Sequence, residues 1–273
     1  MSINDITNAA AAMNALKVRY QEFFDDTDND IGQRRAAYDG LASDLSGIVD
    51  NKLTATFYID AENGDDTSDK GNVPNPLNTL AEAFSRMVPG GKYIVKLFGD
   101  QTHIIQDSLN ASNAHISIDR YGGENRPRMV SLTSSSHPTI DYCTNIQLFN
   151  SSVYVTGVDL ETELAEKGSP HFSSGMFSCS NDSSVKTLYS DVLLGDFPIV
   201  VTNAGHFCSF VFQHGNVSRE DGSIQNTKMM YAQTGSIFIS SASVPAGDAW
   251  SDYVNVIRDA NGASQNIISN LVL

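Results

Sequence analysis

The chain has 273 residues, with 17 Lys and Arg against 32 Asp and Glu, a formal net charge of −15, and only 18% charged side chains. Such an acidic chain repels phosphate backbones and anionic lipid, and no apolar run approaches the ~18–20 residues of a membrane span, so neither nucleic acid nor a membrane is expected as a partner. Three cysteines (Cys143, Cys179, Cys208) and no basic or apolar leader behind Met1 point to small buried thiols in a protein made in a reducing cytosol.

Residues 1–52 read as helix. Ser2 followed by Asp5 resembles a capping box. In a heptad frame, eleven of the fifteen a and d positions are apolar, with no stutter. The seam comprises Ile3, Ile6, Met13, Tyr20, Phe24, Ile31, Tyr38, Leu41, Leu45 and Ile48. Ile at both a and d favours three or more strands, so the spacing predicts a coiled coil that makes a homotrimer. A continuous rod would be ~75 Å long. Residues 25–30 are poor helix formers and leave a helical hairpin open as the alternative. Asp26, Asp28 and Asp30 open like a calcium loop. However, Ile31 stands where such a loop needs Gly, and Ala37 where it needs Glu, so a solvated helix break is the better reading.

Residues 53–100 read as a junction. Thr56-Phe57-Tyr58-Ile59-Asp60 alternates as a strand does, and a Gly/Asp/Asn-rich loop follows. Asn78 or Thr79 then caps a short helix, with Glu82 placed to reach back, and Pro89-Gly90-Gly91 stops it. Residues 93–98 form the next strand.

Residues 101–273 show short β-type runs and no helix. Gly175, Gly205 and Gly235 open similar segments 30 residues apart, and Gly262 opens another. The last three follow matching runs at 199–202, 228–231 and 254–257. A unit near 30 residues that cannot close a core alone implies stacking, and it is too short for a propeller blade. The spacing predicts a parallel β-helix with these glycines at equivalent corners.

Phe57-Tyr58-Ile59-Asp60-Ala61-Glu62-Asn63-Gly64-Asp65-Asp66, followed by Asn75-Pro76-Leu77-Asn78-Thr79-Leu80-Ala81-Glu82-Ala83-Phe84, resembles the opening of pectin-lyase-like right-handed β-helices. In these a short helix plugs the apolar end of the first coil. The N-terminal segment, with Phe23-Phe24, Ile31 and Gln33-Arg34-Arg35-Ala36-Ala37-Tyr38, is similar to the leading segments of bacteriophage tail fibres and tailspikes. The two resemblances cover residues 1 to about 100. They imply a mainly β, trimeric protein: an N-terminal α-helical coiled coil (1–52), a junction (53–100) and a right-handed parallel β-helix body (101–273). They further imply a virion component, assembled in the host cytoplasm, that docks on a phage tail or baseplate through its helices and meets a host-surface glycan. A polysaccharide depolymerase of the same architecture is the alternative, and a secreted bacterial β-helix enzyme is disfavoured by the N-terminus.

Candidate sites are few, and no cofactor is expected. Strand alternation puts Asp159, Glu161 and Glu163 on one face, ~6.5–7 Å apart at i and i+2, which is inside the window of an inverting glycosidase pair. An acidic solvent face is the plainer reading, so no catalytic residue is assigned. Asp65 and Asp69, with Asp66, would suit calcium, but such loops more often only turn the chain, and no metal is assigned. Trp250 and Tyr253 would stack on a sugar ring if exposed, and burial against the wall is the alternative.

Overall fold

A computed structural model describes residues 3–67, 69–134, 136–202, 205–223, 227–271 and 273, leaving aside the side chains of 3–10, 44–45 and 48–52. The chain divides into two compact units, Met1–Asn51 and Lys52–Leu273.

The first unit belongs to one helix, α1, spanning Ile3–Leu53. It does not break at residues 25–30. Thr27 Oγ1 donates to the Phe23 carbonyl at 2.6 Å, and Asp30 pairs with Arg34 at 3.0 Å, so contacts one turn apart carry the helix through its weakest stretch. Neither the hairpin nor a calcium loop forms. Met13 and Tyr38 are each 72% exposed, and Tyr20, Phe24, Ile31 and Leu41 are also exposed. Ile3, Ile6, Leu45 and Ile48 lie on α1, but their side chains are outside the described residues, as is Ser2.

The second unit is built of parallel sheets. The first sheet has eight strands: Thr54–Ile59, Lys92–Phe98, His115–Tyr121, Ser152–Thr156, Ser183–Leu188, Cys208–Gln213, Gly235–Ser240 and Ile267–Ser269. The second has five: Thr102–Ile105, Arg128–Ser131, Asp159–Thr162, Val192–Leu194 and Val217–Arg219. The third also has five: Leu109–Ser112, Ile146–Phe149, Phe177–Ser180, Val200–Thr202 and Met230–Tyr231. From Lys92 to Ser240 the chain visits the three in rotation, and an antiparallel pair, Thr133–Ser134 with Tyr142–Cys143, interrupts one circuit. The fold class is therefore corrected. In place of a coiled coil leading into a right-handed β-helix, the described residues form one long N-terminal helix and several parallel sheets, with no coiled coil and no closed barrel among them.

Alternation sets the core. In the first sheet Phe57, Val95, Ile118, Val155, Thr187, Phe212 and Ile239 are register partners in succession and point inward. The short helix α2, Leu80–Ser85, buries Leu80, Ala83 and Phe84 in the same cluster. Thr79 is its cap and accepts the Glu82 N–H at 3.1 Å. The reciprocal arm of the box is missing, because the Glu82 carboxylate pairs with Arg86 at 2.8 Å.

The glycine expectation is also corrected. Gly175 precedes a third-sheet strand, whereas Gly235 begins a first-sheet strand opposite Cys208. Gly205 precedes the first-sheet strand Cys208–Gln213, so the three glycines fall in two sheets. Of the three only Gly205 is left-handed; other left-handed corners fall to Asn113, Asn150 and Asn181 before first-sheet strands and to Gly157, Tyr189, His214 and Ser241 after them. Asn tolerates this conformation through local hydrogen bonding. Here Asn150 Nδ2 donates to Asn113 Oδ1 at 2.8 Å, and the Tyr189 and His214 rings stack with centroids 4.8 Å apart.

Candidate functional site

Asp159, Glu161 and Glu163 do lie on one outward face at the end of a second-sheet strand, with Val158 and Leu160 buried behind them. Each is committed to a neighbouring circuit. Asp159 pairs with Arg126 at 3.2 Å, Glu161 with Arg128 at 2.9 Å, and Glu163 accepts the Thr133 N–H at 2.7 Å. Asp159 also heads a ladder along the corner. It accepts the Asp191 N–H at 2.9 Å, Asp191 accepts the Asn216 N–H at 2.8 Å, and Asn216 accepts the Ser243 hydroxyl at 2.6 Å. Arg126 bridges Asp159 and Asp191.

The two carboxyls of that bridge differ. Burial pushes Asp159 above its ordinary value, against the pull of the Asp191 N–H and Arg126. Burial acts the same way on Asp191, but the Asn216 amides and Arg126 outweigh it and hold that group low. Sequence reading missed Arg126, Arg128 and Asp191, because only the pairing register brings them to this row.

Asp65 and Asp69 both accept from the Thr67 hydroxyl, at 3.3 and 3.2 Å, and Asp66 accepts from the backbone of Asn78 and Thr79 at 2.8 and 3.1 Å. These carboxylates fold their loop and hold the start of α2. No group of three or more metal-ligating side chains occurs among the described residues. Tyr253 is fully buried, donates to Asp248 at 2.6 Å and lies under Arg219, whose guanidinium carbon is 4.0 Å from the ring centroid. It therefore has no ring face to offer a sugar. Trp250 is half-buried against Phe212 and Tyr253. All three cysteines are buried, with the Cys143 thiol pushed up to about 12 by burial.

A groove of about 550 Å³ lies on the outer face of the first sheet. Thr56, Lys92, Ile94, His115, Ser117, Ser152 and Tyr154 line it, with the backbone strands beneath. The register sets these residues side by side: Lys92, His115 and Ser152 are successive partners, as are Ile94, Ser117, Tyr154 and Lys186. His115 Nδ1 is 2.6 Å from the Ser152 hydroxyl, and the Lys186 ammonium lies 5.0 Å from the centre of the Tyr154 ring. None of these groove residues stood out in the sequence, since outward strand positions look alike until the neighbours are known.

One buried titratable group belongs to the second sheet. His103, on the second-sheet strand Thr102–Ile105, is 2% exposed; its Nε2 meets the Phe98 carbonyl at 3.0 Å, and its Nδ1 has no hydrogen-bond partner. Burial pushes its pKa below the ordinary histidine value, more strongly than the Phe98 carbonyl and Asp60 raise it. The unfolded chain therefore takes up this proton first as the pH falls through about 6.5, and stability declines below that value down to the folded-state pKa, by at most about 1.4 kcal/mol per pH unit. The thermal midpoint should drop between pH 7.5 and 5.5 in the native chain and stay nearly flat over that window in His103→Gln. A variant with the native slope would remove His103 as the cause.

The chain matches no family model, no characterised relative and no solved structure.

Proposed function

We propose that the chain is a structural component of a phage-type virion, a tail fibre or tailspike that contacts the host surface during adsorption. Copies associate as a homotrimer through the exposed apolar positions of α1, which also attaches the protein to the tail or baseplate. Assembly takes place in the host cytoplasm. The observation that carries this reading is the first-sheet outer face, which stays continuous across successive strands and presents hydroxyl, aromatic and cationic side chains in rows. That is a surface for contacting an extended ligand. The exposed apolar positions of α1 supply the motive for association, since large apolar side chains left in water favour a partner.

A depolymerase is the second reading, and one observation favours it: Asp159 is raised and Asp191 lowered around a shared Arg126, and an acid–base pair needs such a separation. Against it, both carboxylates cap the corner ladder, and Arg126 occupies the space between them. The test uses virion particles purified from the natural source. An antibody to the chain should label their tails, and light scattering of the isolated chain should return three copies. The combined D159N/E161Q/E163Q/D191N variant should leave attachment unchanged, with no reducing ends or unsaturated products released from host polysaccharide by either form. Unlabelled particles or a monomer would refute the fibre reading, and glycan cleavage that the fourfold variant abolishes would replace it with the enzyme.

A further inference from the structure

We infer that the groove on the first-sheet outer face binds an acidic polysaccharide, with Lys92 and Lys186 meeting its anionic groups and Tyr154 stacking on a sugar ring; this rests on the adsorption reading above. The chain carries −15 overall, yet the outward positions of the four strands from Lys92 to Leu188 include three lysines and one histidine against a single acid, Asp119. Asp119 is taken by Lys96 at 2.6 Å. Lys92 and Lys186 have no ion-pair partner among the described residues. The second-sheet face is the contrast, where Asp159, Glu161, Glu163 and Asp191 crowd together around two arginines. A cationic strip on an acidic protein concentrates polyanions locally while the remaining surface repels them.

Hydroxyls at Thr56, Ser117 and Ser152 offer both donors and acceptors, as a polyhydroxylated ligand requires. Lys186 lies over one face of the Tyr154 ring, 5.0 Å from its centre, and the ring lines the groove from the other side, so a sugar stacked there has a cation within reach of a ring-borne acid group. Successive parallel strands lie ~4.8 Å apart, so these groups recur along the sheet in steps, matched to a repeating polymer better than to one small molecule. The serine row continues through Ser184, Ser209 and Ser236, with Ser236 donating to Ser209 at 3.1 Å, and extends the polar track beyond the groove. A second copy of the chain fits less well, because a two-fold contact through this face sets lysine strip against lysine strip.

The test passes the full chain over immobilised polygalacturonate, dextran sulfate and unmodified dextran. The expected result is retention on an acidic polymer that weakens as salt is raised, with none on dextran. Polygalacturonate alone would identify a carboxylate ligand, and dextran sulfate alone a sulfate ester; both support the inference. K92E/K186E should bind at least tenfold more weakly with an unchanged unfolding midpoint, and Y154A should also lose affinity, which a purely ionic contact would not. Equal retention on dextran, retention on neither acidic polymer, or undiminished binding by K92E/K186E would overturn it, as would a change in sedimenting mass in that variant, which would make the face a contact between copies. Particles that carry K92E/K186E and adsorb normally would sink this site and leave the adsorption reading intact. Particles that lack the chain altogether would sink the adsorption reading, whatever the polymers show.

Discussion

Phe177→Ala is expected to lower stability by roughly 3–5 kcal/mol, the cost of deleting a buried aromatic ring and leaving most of its cavity unfilled. Phe177 is fully buried and belongs to the third sheet, where its register partners are Ile146 on one side and Val200 on the other. In a stack each layer is held mainly by its two neighbours, so a hole in a central layer weakens two interfaces together. Ile268→Ala provides the control: that side chain is 72% exposed on the last first-sheet strand, and its loss should fall within about 0.5 kcal/mol of zero. Urea unfolding of the three proteins measures both. A cost below about 1 kcal/mol at Phe177 would mean that the layers do not close on one another as described.

Local structure was legible where local chemistry decides it. Alternation over 56–60 and 93–98 marks real strands, and Thr79 with Leu80, Ala83 and Phe84 marks a real capped helix. Runs such as 199–202 and 228–231 are third-sheet strands, each followed by a first-sheet strand. Register was not legible, because the step between paired residues is uneven: 23 residues from Lys92 to His115, but 37 from His115 to Ser152. The longer step accommodates the excursion that carries the antiparallel pair. A search for a fixed period therefore aligned Gly175 with Gly205 across two different sheets. Glycine was a poor marker for a second reason, since eight left-handed positions go to Asp, Asn, Tyr, His and Ser.

The same limit applies to the sites. Sequence alternation correctly puts Asp159, Glu161 and Glu163 on one face, but their partners Arg126, Arg128 and Thr133 come from the preceding circuit. Whether a carboxylate row is free or engaged depends on those neighbours, not on the row. The groove shows the opposite error. Lys92, His115, Tyr154 and Lys186 are scattered over 95 positions and become one surface only through register. On α1 the heptad pattern describes which positions are apolar, and a single chain supplies a single helix to display them.

Gly195→Ala should be strongly damaging at the end of the second-sheet strand Val192–Leu194. A Cβ at this position would sit 2.2 Å from the Thr162 carbonyl oxygen and 2.3 Å from that of Glu163, both backbone atoms that cannot swing aside. The close approach has a purpose in the fold. Gly195 N–H donates to Thr162 Oγ1 at 3.1 Å, Asp196 N–H donates to the Glu163 carbonyl at 3.0 Å, and the Asp196 carboxylate accepts the Ala165 N–H at 2.8 Å. One added methyl must separate two circuits at the point where these bonds fasten them. Overpacking against backbone costs about 1–3 kcal/mol, which at roughly 2–4 °C per kcal/mol in a unit of this size lowers the thermal midpoint by about 2–12 °C. A midpoint within 1 °C of the native chain would show that the circuits stand further apart than the structure has them. The site consequence is separable from the stability loss. The displacement falls on Glu163 at the end of the acidic row, whereas Asp159 and Arg126 are fixed by the corner ladder and the groove lies on another sheet. Below its midpoint the variant should therefore keep its affinity for acidic polymer, while a catalyst dependent on the carboxylate row would lose turnover at the same temperature.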